Sequence, residues 1–135
     1  VAALKTMFLY YHAPLVQLDF NGQSRTMSAL MVSVMNGRRM GGGFMMAPAG
    51  SMEDGEFTCC LVQQVSRPAI LGLIPKFMQG TQTGRPAVQM ENTSHLVVPA
   101  LKGTLPAHSD GETLCEAGQR LEMSLLPAFL EVIVP

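Results

Sequence analysis

Hydrophobic and polar residues alternate along several short stretches of the chain, a pattern typical of half-buried β-strands. In residues 15–20 the alternation places Val16, Leu18 and Phe20 on one face, and Asn21-Gly22 then follows as a typical type I′ hairpin turn. Residues 25–35 return as a second predicted strand. Further short strands are predicted over 44–47, 57–65, 88–92, 95–101, 105–108, 120–126 and 129–134.

Helical spacing of hydrophobic residues occurs in two places. Residues 1–11 fit one face of a short helix that ends before Pro14. The second helix is predicted to begin at Ser66-Arg67-Pro68, because proline is tolerated in the first turn, and Pro75 is expected to kink it. Its apolar positions are Ile70, Leu71, Ile74, Phe77 and Met78.

Together these elements predict an all-β fold with one or two short helices, arranged as an antiparallel sandwich or barrel. The length of 135 residues fits a single domain, 1–135, with one hydrophobic core. The chain begins with Val1 in place of methionine, which indicates a fragment of a longer protein.

Composition and charge narrow the functional classes. The net charge is −1 and the nine basic residues are scattered, so we expect no nucleic-acid partner. Hydrophobic residues make up 47% of the chain, yet the apolar runs are far shorter than the ~20 residues that span a bilayer. The three cysteines form neither an even disulfide framework nor a C-x-x-C pair, which favours reduced thiols in the cytoplasm.

A glycine-rich loop stands out between the second and third predicted strands. Gly41, Gly42 and Gly43 follow one another shortly after Asn36, and such glycines mark backbone that a ligand can approach closely. The loop fits neither a P-loop nor a dinucleotide-binding fingerprint, since Phe44 and two methionines follow it. Nearby methionines suit either an acyl-chain groove or ordinary core packing.

Two acidic turns are candidates for chemistry. Ser51, Asp54 and Glu56 surround an Asp-Gly pair, and their oxygens suit Mg²⁺ or Ca²⁺. The competing interpretation is a β-turn in which the aspartate carboxylate accepts hydrogen bonds from its own backbone. Too few acidic ligands are present for a complete calcium loop.

The second acidic turn comes late in the chain. Asp110 and Glu112 flank Gly111, so one carboxylate could serve as a general base while the other orients it or holds a metal. His108 could join them through a hydrogen bond. The competing interpretation is a solvated hairpin turn with no chemical role.

In order and spacing, these motifs resemble the C-terminal domain of the diacylglycerol kinase and sphingosine kinase superfamily, and most of all its bacterial soluble lipid kinases. The motifs are Val32 to Gly43, Met46-Ala47-Pro48-Ala49, Asp54-Gly55, Ile74-Pro75-Lys76, Gly80-Thr81, Asp110-Gly111-Glu112, Leu126-Pro127 and Val132 to Pro135.

The resemblance implies a two-sheet antiparallel β-sandwich that forms the C-terminal domain of a two-domain lipid kinase. Such an enzyme transfers the γ-phosphate of ATP to a lipid hydroxyl. ATP is bound mainly by an N-terminal α/β domain whose Gly-Gly-Asp-Gly loop does not occur in this chain. The resemblance therefore implies that the isolated fragment is inactive as a kinase.

The resemblance also assigns roles to individual residues. It implies that Ser51, Asp54 and Glu56 bind Mg²⁺ through side-chain or main-chain oxygens. Glu112 or Asp110 would be the catalytic base, with Glu112 favoured. Asn36, Gly41, Gly42 and Gly43 would form a loop on the lipid-substrate side.

The expected partners are a lipid substrate, the chain's own N-terminal ATP-binding domain and, transiently, a membrane surface. A homodimer is left open. We expect a cytoplasmic protein that associates peripherally with the inner membrane face, although the sequence lacks the basic amphipathic helix of a strong anchor. The alternative function is a non-catalytic lipid- or protein-binding β-sandwich.

Overall fold

The computed structural model describes residues 13–133 and contains eight strands and one helix within that range. Six strands form one antiparallel sheet in the order β4-β3-β2-β1-β5-β8, and β6 and β7 form a separate hairpin. The elements are β1 (Leu15–Phe20), β2 (Gln23–Met35), β3 (Phe57–Gln63), α1 (Arg67–Gln79), β4 (Val88–Thr93), β5 (His95–Lys102), β6 (Leu105–Ser109), β7 (Glu112–Gly118) and β8 (Arg120–Ser124).

The long strand β2 belongs to both layers of the fold. Its first half pairs with β1, its second half pairs with β3, and the register shifts between Ala29 and Met31. A bulge of this kind bends a strand and increases its twist. The Arg25 guanidinium on the first half of β2 consequently reaches Glu91 on β4, with 2.6 Å between Nη1 and Oε1. The six-stranded sheet is thus folded over itself into two layers.

The main core lies between these layers. Alternate residues of β1 point inward, which buries Val16, Leu18 and Phe20 as their spacing predicts. Cys59 and Leu61 of β3 face them from the other layer. The hairpin contributes Leu105 to this core. The fold class predicted from the sequence, an all-β antiparallel sandwich with few helices, is confirmed.

A second, smaller core covers the opposite face of β3. Cys60 and Val62 point to this side and pack with Phe77 of α1 and with Met46. Burial raises the pKa of the Cys59 thiol to about 12 and that of Cys60 to about 11. Both cysteines are therefore buried, unreactive thiols, one in each core.

The sequence placed several boundaries correctly and others wrongly. The strand predicted over 129–134 is wrong, because residues 129–133 are irregular and exposed and pair with no strand within the described range. The strand β7 was missed, because its side chains are mostly exposed and lack an apolar face. The strand predicted over 44–47 reduces to one isolated bridge at Phe44. The helix predicted over 1–11 lies outside the described residues.

The helix α1 begins where the sequence predicts. Ser66 is its N-cap residue, a proline occupies the first turn, and Gly80 ends it in the left-handed conformation with φ 73°. The helix continues through Pro75. Among residues 13–133, no helix has the length and hydrophobicity needed to cross a membrane.

Candidate functional site

The glycine-rich loop is a tight, exposed turn. Met40 and Phe44 pair across it through two backbone hydrogen bonds of 2.9 and 3.2 Å. Gly41 and Gly42 have φ values of 58° and 72°, which side-chain-bearing residues rarely adopt. No atom lies within 4 Å of where a Cβ would stand on either glycine, so the space above the loop is open. The main chain can therefore be approached from solvent.

The base of this loop is fixed rigidly to the end of α1. The Met45 N–H donates to the Phe77 carbonyl at 2.8 Å. The side-chain amide of Gln82, which is fully buried, donates to the Met45 and Met46 carbonyls at 2.7 and 3.2 Å. Its Oε1 atom has no partner among the described protein atoms. Sequence reasoning missed Gln82, since a glutamine in a polar loop gives no signal of burial.

The other side of the loop is held against the Ser51 turn. Arg38 Nε donates to the Gly50 carbonyl at 2.9 Å, and the Ala47 N–H donates to the Arg38 carbonyl at 3.1 Å. A Cβ on Gly37 would lie 3.9 Å from the Met52 sulfur. The structure thus brings the segment that begins at Asn36 next to the Ser51 turn. Sequence spacing alone could not show this proximity.

The Ser51 turn is held by its own backbone. The Ser51 hydroxyl accepts a hydrogen bond from the Glu53 N–H at 3.2 Å, and Asp54 Oδ1 accepts one from the Glu56 N–H at 3.1 Å. This is the self-bonded turn that the competing interpretation expected. Asp54 and Glu56 are exposed, and their oxygens are hard ligands of the kind that Mg²⁺ prefers.

A cation at this turn would need ligands besides carboxylates. Within residues 13–133, no group of three or more His, Cys, Asp or Glu side chains is placed to hold a metal ion. Ser51 would contribute its hydroxyl or carbonyl oxygen, Glu56 a carbonyl or carboxylate oxygen, and Asp54 its carboxylate. The donor set fits a hydrated magnesium ion, which keeps several water ligands.

The late acidic turn is the tip of the β6–β7 hairpin. Asp110 and Gly111 have φ values of 48° and 87°, positive at both central positions as a type I′ turn requires. Ser109 and Glu112 form the last strand pair before the turn. The side chains of Asp110 and Glu112 are exposed, and so is His108. The hairpin therefore presents two carboxylates at a well-defined tip.

Comparison with known proteins identifies the family. A model of the YegS C-terminal NAD kinase beta sandwich-like domain matches residues 1–134. The chain belongs to this family. A search of curated proteins found no significant match. The family resemblance inferred from the sequence motifs is confirmed.

Solved structures share the fold of this YegS-type domain. A "putative diacylglycerol kinase" from Bacillus anthracis strain Sterne superposes with a TM-score of 0.70 at 19% identity, covering 93% of this chain and 42% of that one. A second structure, described as a diacylglycerol kinase from the same strain, gives the same four values. The YegS-type domain thus spans less than half of each of these two chains.

The YegS-type domain also has an open surface groove that sequence reasoning did not anticipate. Its volume is about 490 Å³, and it lies where the β1–β2 and β4–β5 turns meet. Asp19, Ser24 and His95 line this groove. Hydrogen bonds from Ser24 and, less strongly, from the neighbouring Gln17 lower the pKa of the Asp19 carboxyl group. The Nε2 atom of His95 lies 2.9 Å from a Glu122 oxygen.

The predicted site residues therefore fall into two groups. Asn36, the three glycines and the Ser51 turn lie on the connection between β2 and β3, and hydrogen bonds link its two halves. Asp110 and Glu112 lie on a separate hairpin. No hydrogen bond within residues 13–133 joins the hairpin tip to the β2–β3 connection.

Proposed function

We propose that this YegS-type domain is the C-terminal, substrate-side domain of an ATP-dependent lipid kinase. The observation that carries the proposal is the family match over residues 1–134. The structural neighbours named as diacylglycerol kinases make a lipid alcohol such as diacylglycerol the substrate class to test first. The domain corresponds to 42% of the first of those chains, and the proposal assigns nucleotide binding to a part of the kinase outside this domain.

Glu112 is proposed as the base that takes the proton from the acceptor hydroxyl, with Asp110 orienting the acceptor or replacing Glu112 in that role. Phosphoryl transfer requires positioned reactants, a carboxylate near the attacking hydroxyl and neutralisation of phosphate charge. The type I′ turn fixes the backbone from which both side chains project. Their exposure suits a site completed by a second domain that carries ATP.

Ser51, Asp54 and Glu56 are proposed to hold Mg²⁺ with their hard oxygen atoms. Magnesium bound near the site would spread the charge of the transferred phosphate. The glycine loop at Gly41 to Gly43 is proposed to face the lipid substrate. Its open main chain supports this role, since a headgroup can approach its N–H groups without meeting side chains.

The test is phosphate transfer from ATP to a panel of lipid alcohols by the full-length protein. We expect Glu112→Gln to lower kcat by about 10² to 10⁴, the range of general-base catalysis, and Asp110→Asn to lower it less. Glu116→Gln is the matched control, because Glu116 is an exposed carboxylate on the same strand as Glu112. The 135-residue chain alone is expected to show no transfer.

Two results would contradict the proposal. If the full-length protein phosphorylates no lipid, the domain functions as a lipid- or protein-binding module instead. If Glu112→Gln and Glu116→Gln behave alike, the hairpin tip has no role in proton transfer. Thermal melting of each variant separates a loss of activity from a loss of folding.

A further inference from the structure

The exposed side of α1 carries hydrophobic residues that the fold does not use. Ile70 and Phe77 lie seven residues apart and are buried, and Phe77 packs against β3. Leu71 and Met78 are spaced in the same way and face solvent, with 49% and 54% of their surfaces exposed. The helix therefore has a second apolar stripe on its outer side.

The glycine loop extends this outer stripe. Met40 and Phe44, which form the base of the turn, are 36% and 38% exposed. Phe44 precedes Met45, whose N–H binds the carbonyl of Phe77, and Met78 follows Phe77 directly. The main chain of the loop thus lies against the end of the helix, and the exposed surface of these two segments is here called the α1–loop face.

The two segments that form this surface are rich in basic residues, and acidic residues of the Ser51 turn (Glu53, Asp54 and Glu56) lie next to them. Residues 36–50 contain two arginines, residues 64–90 contain two arginines and one lysine, and neither segment contains any of the chain's ten Asp or Glu residues. The basic residues are Arg38, Arg39, Arg67, Lys76 and Arg85. More than half of the nine basic residues are therefore concentrated in these two segments, although the net charge of the chain is −1.

None of these five basic residues forms an ion pair within the described part of the chain. The ion pairs formed by arginines there involve Arg25 with Glu91 and Arg120 with Glu122. Glu91, which follows the second segment directly, is therefore already paired. Arg38 donates to a carbonyl, which leaves its charge in place. The α1–loop face thus combines exposed hydrophobic side chains with unpaired positive charge.

We propose that the α1–loop face docks on the surface of an anionic lipid bilayer. Exposed apolar side chains with basic residues around them bind at the headgroup level, where burial of hydrophobic surface and attraction to anionic lipids add together. Pro75 lies on the same side of the helix and has no N–H, so the Leu71 carbonyl receives no helical hydrogen bond from it. That carbonyl must therefore remain in contact with water. Docking is therefore shallow.

This proposal deepens the lipid-side role proposed above, but it does not depend on phosphate transfer. A soluble kinase must reach an acceptor that lies in a membrane, and the open glycine loop is part of the docking face. Vesicle binding can be measured without ATP and with a Glu112→Gln variant. Failure of docking and failure of catalysis are therefore distinguishable.

The experiment is vesicle co-sedimentation of the full-length protein. Vesicles contain phosphatidylcholine either alone or mixed with phosphatidylglycerol, and each mixture is tested at low and high salt. We expect binding to the anionic vesicles only, weakening as salt screens the charges. Lys76→Gln and Arg67→Gln should each lower the affinity about fivefold, the effect of one basic residue near an anionic surface. Met78→Gln should lower it several-fold.

Matched controls lie on the opposite layer of the fold. Leu101 is 51% exposed on β5 and precedes the exposed Lys102. Leu101→Gln and Lys102→Gln should leave vesicle binding unchanged. Equal losses from the controls and the face variants would overturn the proposal, as would equal binding to neutral vesicles or no binding at all. Thermal melting confirms that each variant is folded.

Discussion

The buried amide of Gln82 holds the glycine loop in place. Both of its N–H donors point at consecutive main-chain carbonyls, those of Met45 and Met46, while Met46 itself is buried in the smaller core. Buried polar groups are costly unless they are hydrogen-bonded, so such an arrangement fixes one position of the loop. The sequence offers a glutamine between two threonines, and nothing in that pattern indicates burial.

Gln82→Ala should destabilise the domain by about 1–3 kcal/mol, because two buried carbonyls would lose their donor. The measurement is urea unfolding followed by circular dichroism. Gln79→Ala is the control, since Gln79 is exposed on α1 and should change the free energy of unfolding little. If the free energy of unfolding falls no more for Gln82→Ala than for Gln79→Ala, water replaces the amide hydrogen bonds without cost.

Asp54 and Asp110 show the limits of residue-level reasoning. Each is an Asp-Gly turn with acidic neighbours, and in each case the sequence left a structural and a chemical interpretation open. The structure shows a self-bonded turn at Asp54 and a type I′ hairpin at Asp110. The carboxylates remain exposed in both turns, so both geometries are compatible with the predicted roles. Metal binding at Asp54 and proton transfer at Asp110 therefore stay predictions.

At the scale of elements, α1 was the most predictable part of the chain. Proline in the first turn and glycine at the end mark its limits, and the buried residues follow the helical period. The β6–β7 hairpin was harder to predict. Its turn chemistry is clear, but only Leu105 is buried, so hydrophobic alternation could not identify β7.

Gly72 inside α1 and Gly80 directly after it should respond oppositely to the same substitution. Gly72→Ala should stabilise the domain by about 0.5–1 kcal/mol, because alanine favours a helix and no atom lies within 4 Å of the new Cβ. Gly80→Ala should destabilise it by at least about 1 kcal/mol, because φ is +73° and the Cβ would lie 2.7 Å from the Met45 sulfur. Thermal melting of both variants tests this prediction. A shift of the melting temperature in the same direction for both variants would contradict it.

At the scale of the whole molecule, acid sensitivity should arise on the outer face of the layer that contains β1, β5 and β8. Hydrogen bonds from Ser24 and Gln17 lower the pKa of Asp19. Hydrogen bonds from His95 and Arg120, with the charge of Arg120, lower the pKa of Glu122. A carboxyl group whose pKa is lower in the folded state stabilises the fold at pH values above its unfolded-state pKa. This stabilisation is lost as the pH falls through the folded-state pKa.

Near neutral pH, titration of these two groups should therefore not change the melting temperature. The melting temperature should fall as the pH drops below about 4.5, the ordinary pKa of Glu122. Ser24→Ala removes the largest cause of the Asp19 shift and should make the decline with acid shallower. Thr113→Ala, an exposed change on β7, is the control. An unchanged pH profile for Ser24→Ala would show that its hydroxyl does not affect Asp19.

The sequence by itself determined the fold class, the family and the position of most elements. The fold class and the elements depend on local information: alternation for buried strands, helical spacing and caps for α1, and Asx-Gly turns such as Asn21-Gly22 and Asp110-Gly111. The family was inferred from the resemblance of the ordered motifs along the chain. The tertiary structure alone decided three features: the bend of β2 between the layers, the hydrogen bonds from Gln82 to the Met45 and Met46 carbonyls, and the proximity of α1 to the glycine loop. Each of these brings together residues far apart in the chain, and hydrophobic patterning shows which side chains are buried without showing which partners they meet.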